Sequence, residues 1–244
     1  MRSVAINVGA NTNEPGFRGP IAADGRFAYV PIPESEPIRE GASVPTYGDL
    51  DFDLGVDVGS VADVAVHLDP AFAGVHGCTS YTYGDPHAVK ARPLSALSVG
   101  DYVFFYATLS TATATAAEAR APAGWITPEW GAYVIGHFRL GIDPVEATEG
   151  LSEAERGRFE GNAHLKRDPF DARVLLYGDP EESALYDVAV PLSGGAGVEP
   201  NRLVTEFSED SGEGPWWRRP LRFDRRGTET LLSVRERDDR SVGR

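Results

Sequence analysis

The chain has 244 residues, of which 41% are hydrophobic and 10% aromatic, so it can build a folded core and is not disordered as a whole. Its 37 acidic residues outnumber 23 basic ones and give a formal net charge of -14, which excludes a generally basic nucleic-acid-binding domain. The single cysteine excludes an internal disulfide and a thiolate-rich zinc site.

The sequence contains no stretch of about 20 apolar residues and does not start like a signal peptide. We therefore expect a cytoplasmic protein without a membrane partner. Lysine occurs only at Lys90 and Lys166. An acid-rich, lysine-poor surface is typical of proteins from halophilic archaea, and it stays hydrated in strong salt without specifying a ligand. A nucleotide ligand therefore requires local basic clusters.

The first half of the chain predicts short strands joined by irregular segments. Residues 4–8 and 27–32 alternate and predict a strand pair around a long loop, and the acidic, Gly/Pro-rich residues 34–60 predict an irregular excursion. Next, Thr82-Tyr83-Gly84-Asp85-Pro86 predicts a turn, and Leu94-Ser95-Ala96-Leu97 predicts a helical turn. The aromatic and branched run at 102–107 predicts a buried strand.

In the second half, the small polar residues 110–122 predict an exposed, dispensable loop or weak helix, and residues 133–140 and 173–177 predict strands. Two capping patterns predict helices, one from Ser152 to about Glu160 and one from Asp179 to about Val188. Strands outnumber helices without regular alternation. We therefore predict a single α+β domain over residues 1–244, with a mostly antiparallel sheet, a few short helices and an arginine-rich tail from about 215 that frays at its end.

Standard catalytic motifs are absent, and both lysines lie in two polar clusters beside predicted strand ends. In the first cluster, Asp85, His87, Lys90 and Arg92 either hold a ligand or belong to an ordinary Asp-Pro-His turn. The sequence leaves both interpretations open.

The second cluster runs from Asn162 to Arg167. In a functional interpretation, Asn162 and His164 hydrogen-bond the polar edge of a ligand, while Lys166 and Arg167 bind phosphate. In the alternative, the cluster is a helix C-terminus closed by Gly161, with Asn162 in a left-handed backbone conformation. Neither interpretation is preferred by the sequence.

Two further patterns carry weaker signals. His67 with Asp69, and Asp85 with His87, offer N/O ligand pairs for a metal, but such pairs arise easily by chance, so we predict no metal site and assign no cofactor. The segment Trp216 to Arg226 concentrates two tryptophans and five arginines. It either stacks a nucleobase or fills the core while its arginines pair with acidic neighbours.

Several short segments together resemble the third nucleotide-modification-associated domain family, putative DNA base modification proteins of phages, bacteria and archaea. They are Ile6-Asn7-Val8-Gly9, Gly19-Pro20-Ile21, residues 24–34, His67-Leu68-Asp69-Pro70, Thr82-Tyr83-Gly84-Asp85, Asn162-Ala163-His164 and Gly178-Asp179-Pro180. The resemblance extends to about Ser193 and omits residues 110–128 and the arginine-rich tail. It implies a role in DNA or nucleotide modification, alongside partner modification enzymes.

A shorter similarity concerns residues 97–106 followed by 133–138, which resemble the core strands of PUA-like and EVE-like barrels. Domains of that kind bind modified or flipped bases. The similarity implies a small PUA-like barrel as an alternative to an open antiparallel sheet.

The leading hypothesis is a cleft, formed by residues 7–18 and the two polar clusters, that accepts a nucleotide, single-stranded DNA or an extruded base. As an enzyme, the protein would use His164 as general acid or base, with Asp85 or Asp69 orienting it or sharing its proton. The residues expected to bind the ligand are Asn7, Arg18, His87, Lys90, Arg92, Asn162, Lys166 and Arg167. The alternatives are a non-catalytic reader of modified bases and a small-nucleotide hydrolase or transferase.

Overall fold

The computed structural model describes residues 1–112, 121–147, 150–195, 197–237 and 240. The strands are β1 Ser3–Asn7, β2 Pro20–Ile21, β3 Ile32–Pro33, β4 Val66–His67, β5 Thr82–Asp85, β6 Tyr102–Thr111, β7 Trp130–Arg139, β8 Val145–Glu146, β9 Val174–Tyr177, β10 Ala184–Pro191 and β11 Leu221–Phe223. The α-helices are α1 Ala88–Ser95, α2 Glu153–Arg158, α3 Arg202–Thr205 and α4 Arg225–Arg235. Short 3-10 helices span Tyr47–Asp49, Asp53–Gly55, Ala163–Lys166 and Trp216–Arg218.

The central sheet has six strands in the order β10-β7-β6-β1-β11, with β2 added to the far part of β6. Its longest ladder is the antiparallel β6–β7 pair, whereas β1 and β2 lie parallel to β6. Every residue of Val103–Leu109 in β6 is buried, which follows from a strand that is apolar on both faces. Aromatic side chains dominate the core around this pair, including Phe72, Phe104, Phe105 and Phe138.

Two smaller sheets carry the polar residues next to this core. One has the order β5-β9-β8, and the other pairs β3 with β4. Helix α1 contacts β1, β5 and β9 and so connects the central sheet with the three-stranded one. The last residues of β1, β4 and β5, which are Asn7, His67 and Asp85, line one cavity.

The mixed class with mostly antiparallel sheets and few helices agrees with the prediction. In the described part of the chain, however, the central sheet is open, with β10 at one edge and β11 at the other. The PUA-like barrel is therefore not confirmed. The predicted strands at 4–8, 102–107, 133–140 and 173–177 are found as β1, β6, β7 and β9. Of residues 27–32, only Ile32 belongs to a strand.

Two local predictions are wrong for identifiable reasons. Asp179 accepts hydrogen bonds from the backbone N–H groups of Glu181 and Glu182, as a helix cap does, but the chain then enters β10. The alternation within residues 184–191 lets this segment pair with β7, which outweighs the local capping signal. The expected turn at Thr82–Pro86 is mostly strand β5, because residues 82–85 pair along their whole length with β9.

The first predicted helix is confirmed as α2, and Ser152 and Glu155 form the expected capping box. The predicted helical turn at Leu94 is the last turn of α1. Most of the predicted loop 110–122, at residues 113–120, and the end of the predicted fraying tail lie outside the described residues.

Candidate active-site cleft

A cleft of about 390 Å³ opens where β1, β4, β5 and the 3-10 helix Ala163–Lys166 meet. Three groups of side chains form its walls. They are Asn7 and Asn11 from the end of β1 and the loop after it, Asp85, His87 and Lys90 from the β5–α1 junction, and His67, Asp69, His164, Arg167 and Asp171 on the inner side. Parts of both sequence clusters therefore face one cavity.

Asn162 lies behind the inner wall of the cleft and hydrogen-bonds two residues of that wall, His164 and Asp69. Its side chain accepts from the backbone N–H of His164 at 3.0 Å and donates to Asp69 at 2.9 Å. Helix α2 ends at Arg158, and the backbone of Asn162 is extended, with φ -69°. The alternative of a helix C-terminus with a left-handed Asn162 is therefore wrong. Asn162 is fully buried and caps the following 3-10 helix.

Two buried histidines face each other across Asp69. The Nδ1 atom of His67 lies 2.7 Å from a carboxylate oxygen of Glu34, and the Nδ1 atom of His164 lies 2.6 Å from Asp171. The Nε2 atoms of the two rings lie 4.0 and 3.4 Å from the same oxygen, Oδ2 of Asp69. We call these five residues the histidine–carboxylate cluster.

Arg167 connects the outer carboxylates of this cluster. Its guanidinium donates to Glu34 at 2.8 Å and to Asp171 at 2.7 Å, and its side chain is only 8% exposed. The planar fork of donors is thus engaged within the protein. Arg167 lines the cleft, but its main contacts are to the two carboxylates that orient the histidines.

The contacts shift the pKa values within the cluster. Burial opposes the charge on His164, but hydrogen bonds to Asp171 and Asp69 outweigh burial and raise its pKa to about 9. Burial likewise opposes the charge on Glu34, yet hydrogen bonds from His67 and Arg167 lower its pKa to about 2. The contacts within the cluster thus favour the protonated form of His164.

The β5–α1 junction forms the opposite wall. Asp85 accepts from the backbone N–H of His87 and from the hydroxyl of Tyr83, each at 2.7 Å. Lys90 donates to the carbonyl of Asn7 at 3.0 Å and lies 3.9 Å from Asp85. Burial lowers the pKa of Lys90, and the neighbouring carboxylates oppose that shift. His87 is exposed at the cleft mouth.

Asp85 and Asp69 are the two carboxylates expected to orient His164 or share its proton, and of these Asp69 lies beside the ring. Asp85 instead bonds to Tyr83 and His87. The backbone N–H of Gly84 lies 3.0 and 3.1 Å from the two oxygens of Asp69 and fixes that carboxylate. Sequence reasoning did not find Glu34, Asp171 or Tyr83.

Four predicted binding residues, Arg18, Arg92, Asn162 and Lys166, are absent from the cleft lining that the described residues form. The guanidinium of Arg18 lies 4.1 Å from the ring centre of Trp130, and Arg92 lines a different groove together with Arg2 and Arg222. Lys166 belongs to the 3-10 helix but is not part of the cavity wall. Asn162 stands behind the wall, as described.

In the segment Trp216 to Arg226, the structure favours the second interpretation, in which the segment fills the core and its arginines pair with acidic neighbours. Trp216 is fully buried in the main core, and its indole N–H donates to a backbone carbonyl. Arg219 pairs with Asp210 at 2.7 Å, and Arg225 pairs with Glu229 at 3.1 Å. These arginines are neighbours of acidic side chains, as the alternative proposed.

These features define an α+β protein with a polar cleft walled by histidines and carboxylates. The family model of nucleotide modification associated domain 3 matches residues 2–233, and the chain belongs to this family. The match confirms the resemblance seen in the sequence and extends beyond Ser193 through residues 110–128 and most of the tail, which we expected to lie outside it. No curated protein and no solved structure matches the chain significantly. Among the described residues, no helix is long and apolar enough to cross a membrane.

Proposed function

We propose that the chain acts in nucleotide modification by binding a nucleotide, or a base extruded from DNA, in the cleft. The observation that carries this proposal is that Asp85, His87 and Lys90 from one cluster share a cavity with His164 and Arg167 from the other. The cavity volume of about 390 Å³ falls within the range of small-molecule sites. The family membership supports a nucleotide or nucleic acid as the partner.

The wall formed by Asn7, His87 and Lys90 offers the groups that such a ligand needs. Asparagine amides match the donor and acceptor edges of a base, and a lysine ammonium binds phosphate as a point charge. His87 is exposed and within the same cavity wall, so it is accessible to a phosphate or sugar oxygen. The base would thus lie deeper than the phosphate.

An enzymatic form of the proposal assigns proton transfer to His164. Asp171 and Asp69 flank its ring and hold its orientation, as a general acid requires. A reader form uses the same cleft for binding alone, and a hydrolase or transferase form acts on free nucleotides rather than DNA. Partner modification enzymes would supply or consume the modified base.

Binding is tested by calorimetric titration with deoxynucleoside monophosphates and short single-stranded DNA. We expect Lys90→Ala and His87→Ala each to weaken binding several-fold, and the exposed Arg225→Ala, which lies outside the cleft, to leave it unchanged. Absence of binding in the wild type, or equal binding in all variants, would overturn the proposal.

Enzyme and reader are separated by mass spectrometry of DNA nucleosides from cells with and without the gene. An enzyme changes the nucleoside inventory, whereas a reader leaves it unchanged. Turnover of free nucleotides by the purified chain, with an unchanged DNA inventory, would favour the hydrolase or transferase form.

A further inference from the structure

The inner wall of the cleft brings two imidazoles and one carboxylate to a single point. His67, Asp69 and His164 are all buried, and one ligand atom from each lies within 4.8 Å of the others. His67 and Asp69 come from one short stretch of chain, and His164 comes from the 3-10 helix. We propose that these three residues bind a divalent transition-metal ion of the Zn²⁺ or Fe²⁺ type.

The first argument is the direction in which each ring presents its nitrogens. A carboxylate only accepts hydrogen bonds, and the Nδ1 atoms of His67 and His164 lie 2.7 and 2.6 Å from Glu34 and Asp171. The donor nitrogens of Arg167 are farther from the same atoms, at 3.1 and 3.3 Å, so the shorter contacts assign the ring N–H to Nδ1. Both Nε2 atoms then face Oδ2 of Asp69. Imidazoles that bind metals in proteins characteristically donate their other N–H to a carboxylate in this way.

The second argument is electrostatic. A neutral ring carries a lone pair on Nε2, so two such rings and the Asp69 carboxylate would place three electron-rich atoms together. A cation between them removes that repulsion. A proton on Nε2 of His164 removes the repulsion between that ring and Asp69, whereas a metal ion removes it for both rings at once.

The third argument is geometric. Zinc bonds to nitrogen and oxygen of about 2.0–2.2 Å require ligand atoms roughly 3–3.5 Å apart. The Nε2 atom of His164 already lies 3.4 Å from Asp69, whereas that of His67, at 4.0 Å, must move inward by some tenths of an ångström. Hydrogen bonds from Gly84 and Asn162 fix Asp69 in place, and all three ligand residues line the cleft, so an ion there would be accessible to a ligand in the cleft.

The charges favour a nitrogen-preferring ion. Arg167 pairs with both Glu34 and Asp171, the carboxylates at the Nδ1 atoms, so Asp69 is the one carboxylate that contacts both Nε2 atoms. Two imidazoles and one carboxylate with open positions suit Zn²⁺ or Fe²⁺, whereas Mg²⁺ and Ca²⁺ prefer oxygen ligands. The ion would polarise an oxygen of whatever occupies the cleft, or activate a bound water.

This inference concerns the same cleft but does not depend on nucleotide binding. An ion at Nε2 takes the place of the proton there, so His164 would act as a ligand instead of an acid. The two roles are mutually exclusive in any one state of the protein, and metal titration distinguishes them.

The test uses the full chain without an affinity tag, stripped with a chelator, in strong KCl with excess Mg²⁺ to occupy surface carboxylates. We expect Co²⁺ to bind one ion per chain with visible absorption, and Zn²⁺ to displace it. His67→Ala and His164→Ala should each lower the affinity by about 100-fold or more, and Glu34→Gln by about tenfold. Glu206→Gln removes the charge of an exposed carboxylate outside the cleft, so it is the control and should bind normally.

If an alanine variant fails to fold, Asp69→Asn replaces it, because an amide keeps an acceptor for the Gly84 N–H but is a poor ligand. Wild-type protein without stoichiometric Co²⁺ or Zn²⁺ binding would overturn the inference. Binding that survives His67→Ala, His164→Ala and Asp69→Asn would also overturn it, since the ion would then be held elsewhere. Nucleotide titrations on the chelator-treated protein are scored separately, so the two proposals fail independently.

Discussion

Gly84 lies where a side chain would collide with the histidine–carboxylate cluster. A Cβ atom at this position would be 2.5 Å from Cδ2 of His164 and 3.1 Å from Leu175. We expect Gly84→Ala to displace the His164 ring and to destabilise the fold by about 1–3 kcal/mol. Urea denaturation measures this change.

Gly161→Ala is the matched control, because the nearest atom to its Cβ would be Ser80 Oγ at 4.0 Å. It should change stability little. Equal stability of Gly84→Ala and the wild type would contradict the close packing seen at β5.

Replacement of Arg167 gives a second prediction about a single residue. Its removal leaves the buried Glu34 and the half-buried Asp171 without their shared cation. Breaking such a pair from one side costs about 3–5 kcal/mol, so Arg167→Ala should lower the free energy of unfolding strongly and not merely weaken binding. Arg225→Ala removes an exposed pair with Glu229 and should cost less than about 0.5 kcal/mol. Similar losses in both variants would show that the buried network contributes little.

Strand β7 carries a titratable group that the site does not use. His137 is 2% exposed and packs against Tyr102, Phe104 and Tyr186. Its Nδ1 atom has no hydrogen-bond partner among the residues that the structure describes. Burial, reinforced by the charge of Arg235, lowers its pKa from 6.5 to about 4. The unfolded chain therefore takes up the proton at a higher pH than the folded chain does.

This difference predicts a pH dependence. The stabilisation from His137 is complete above pH 6.5 and is lost as the pH falls towards 4. Between about pH 7.5 and pH 5, the free energy of unfolding of the wild type should fall by roughly 2 kcal/mol more than that of His137→Phe. The phenylalanine keeps the aromatic packing but cannot take up a proton. Urea denaturation at both pH values measures the difference. Parallel losses in the two proteins would contradict the lowered pKa.

The elements also show how far sequence reasoning reaches. The buried β6–β7 pair and α2 were predictable because their aromatic runs and capping residues act locally. Strand β10 was not predictable, because its pairing with β7 outweighs the helix-capping hydrogen bonds that Asp179 does form. Likewise, Asn162 to Arg167 could be recognised as polar, but the Glu34 partner of Arg167 lies 133 residues away, and no local pattern indicates such a contact.

At the scale of the whole molecule, the net charge of -14 opposes the approach of a polyanion. Binding must then depend on short-range contacts within the cleft instead of on counterion release from many phosphates. We expect the affinity for a mononucleotide or single-stranded DNA to fall by less than about tenfold from low to high KCl. Titrations across a KCl series measure the slope. A steep loss of affinity would indicate a basic binding surface outside the cleft.

The position of β1 has a consequence for the order of events during synthesis. Ser3–Asn7 lies between β6 and β11, and its outer edge pairs with residues 221–223, while Ser3 bonds to Thr228 of α4 at 2.8 Å. β1 is therefore synthesised long before β11, and one of its edges stays open until residues 221–223 have been made. Contacts this distant in sequence slow folding, and until they form an open strand edge can pair with other nascent chains. A chain that stops before Leu221 keeps that edge permanently, so premature termination would yield an aggregating protein rather than a shorter folded one.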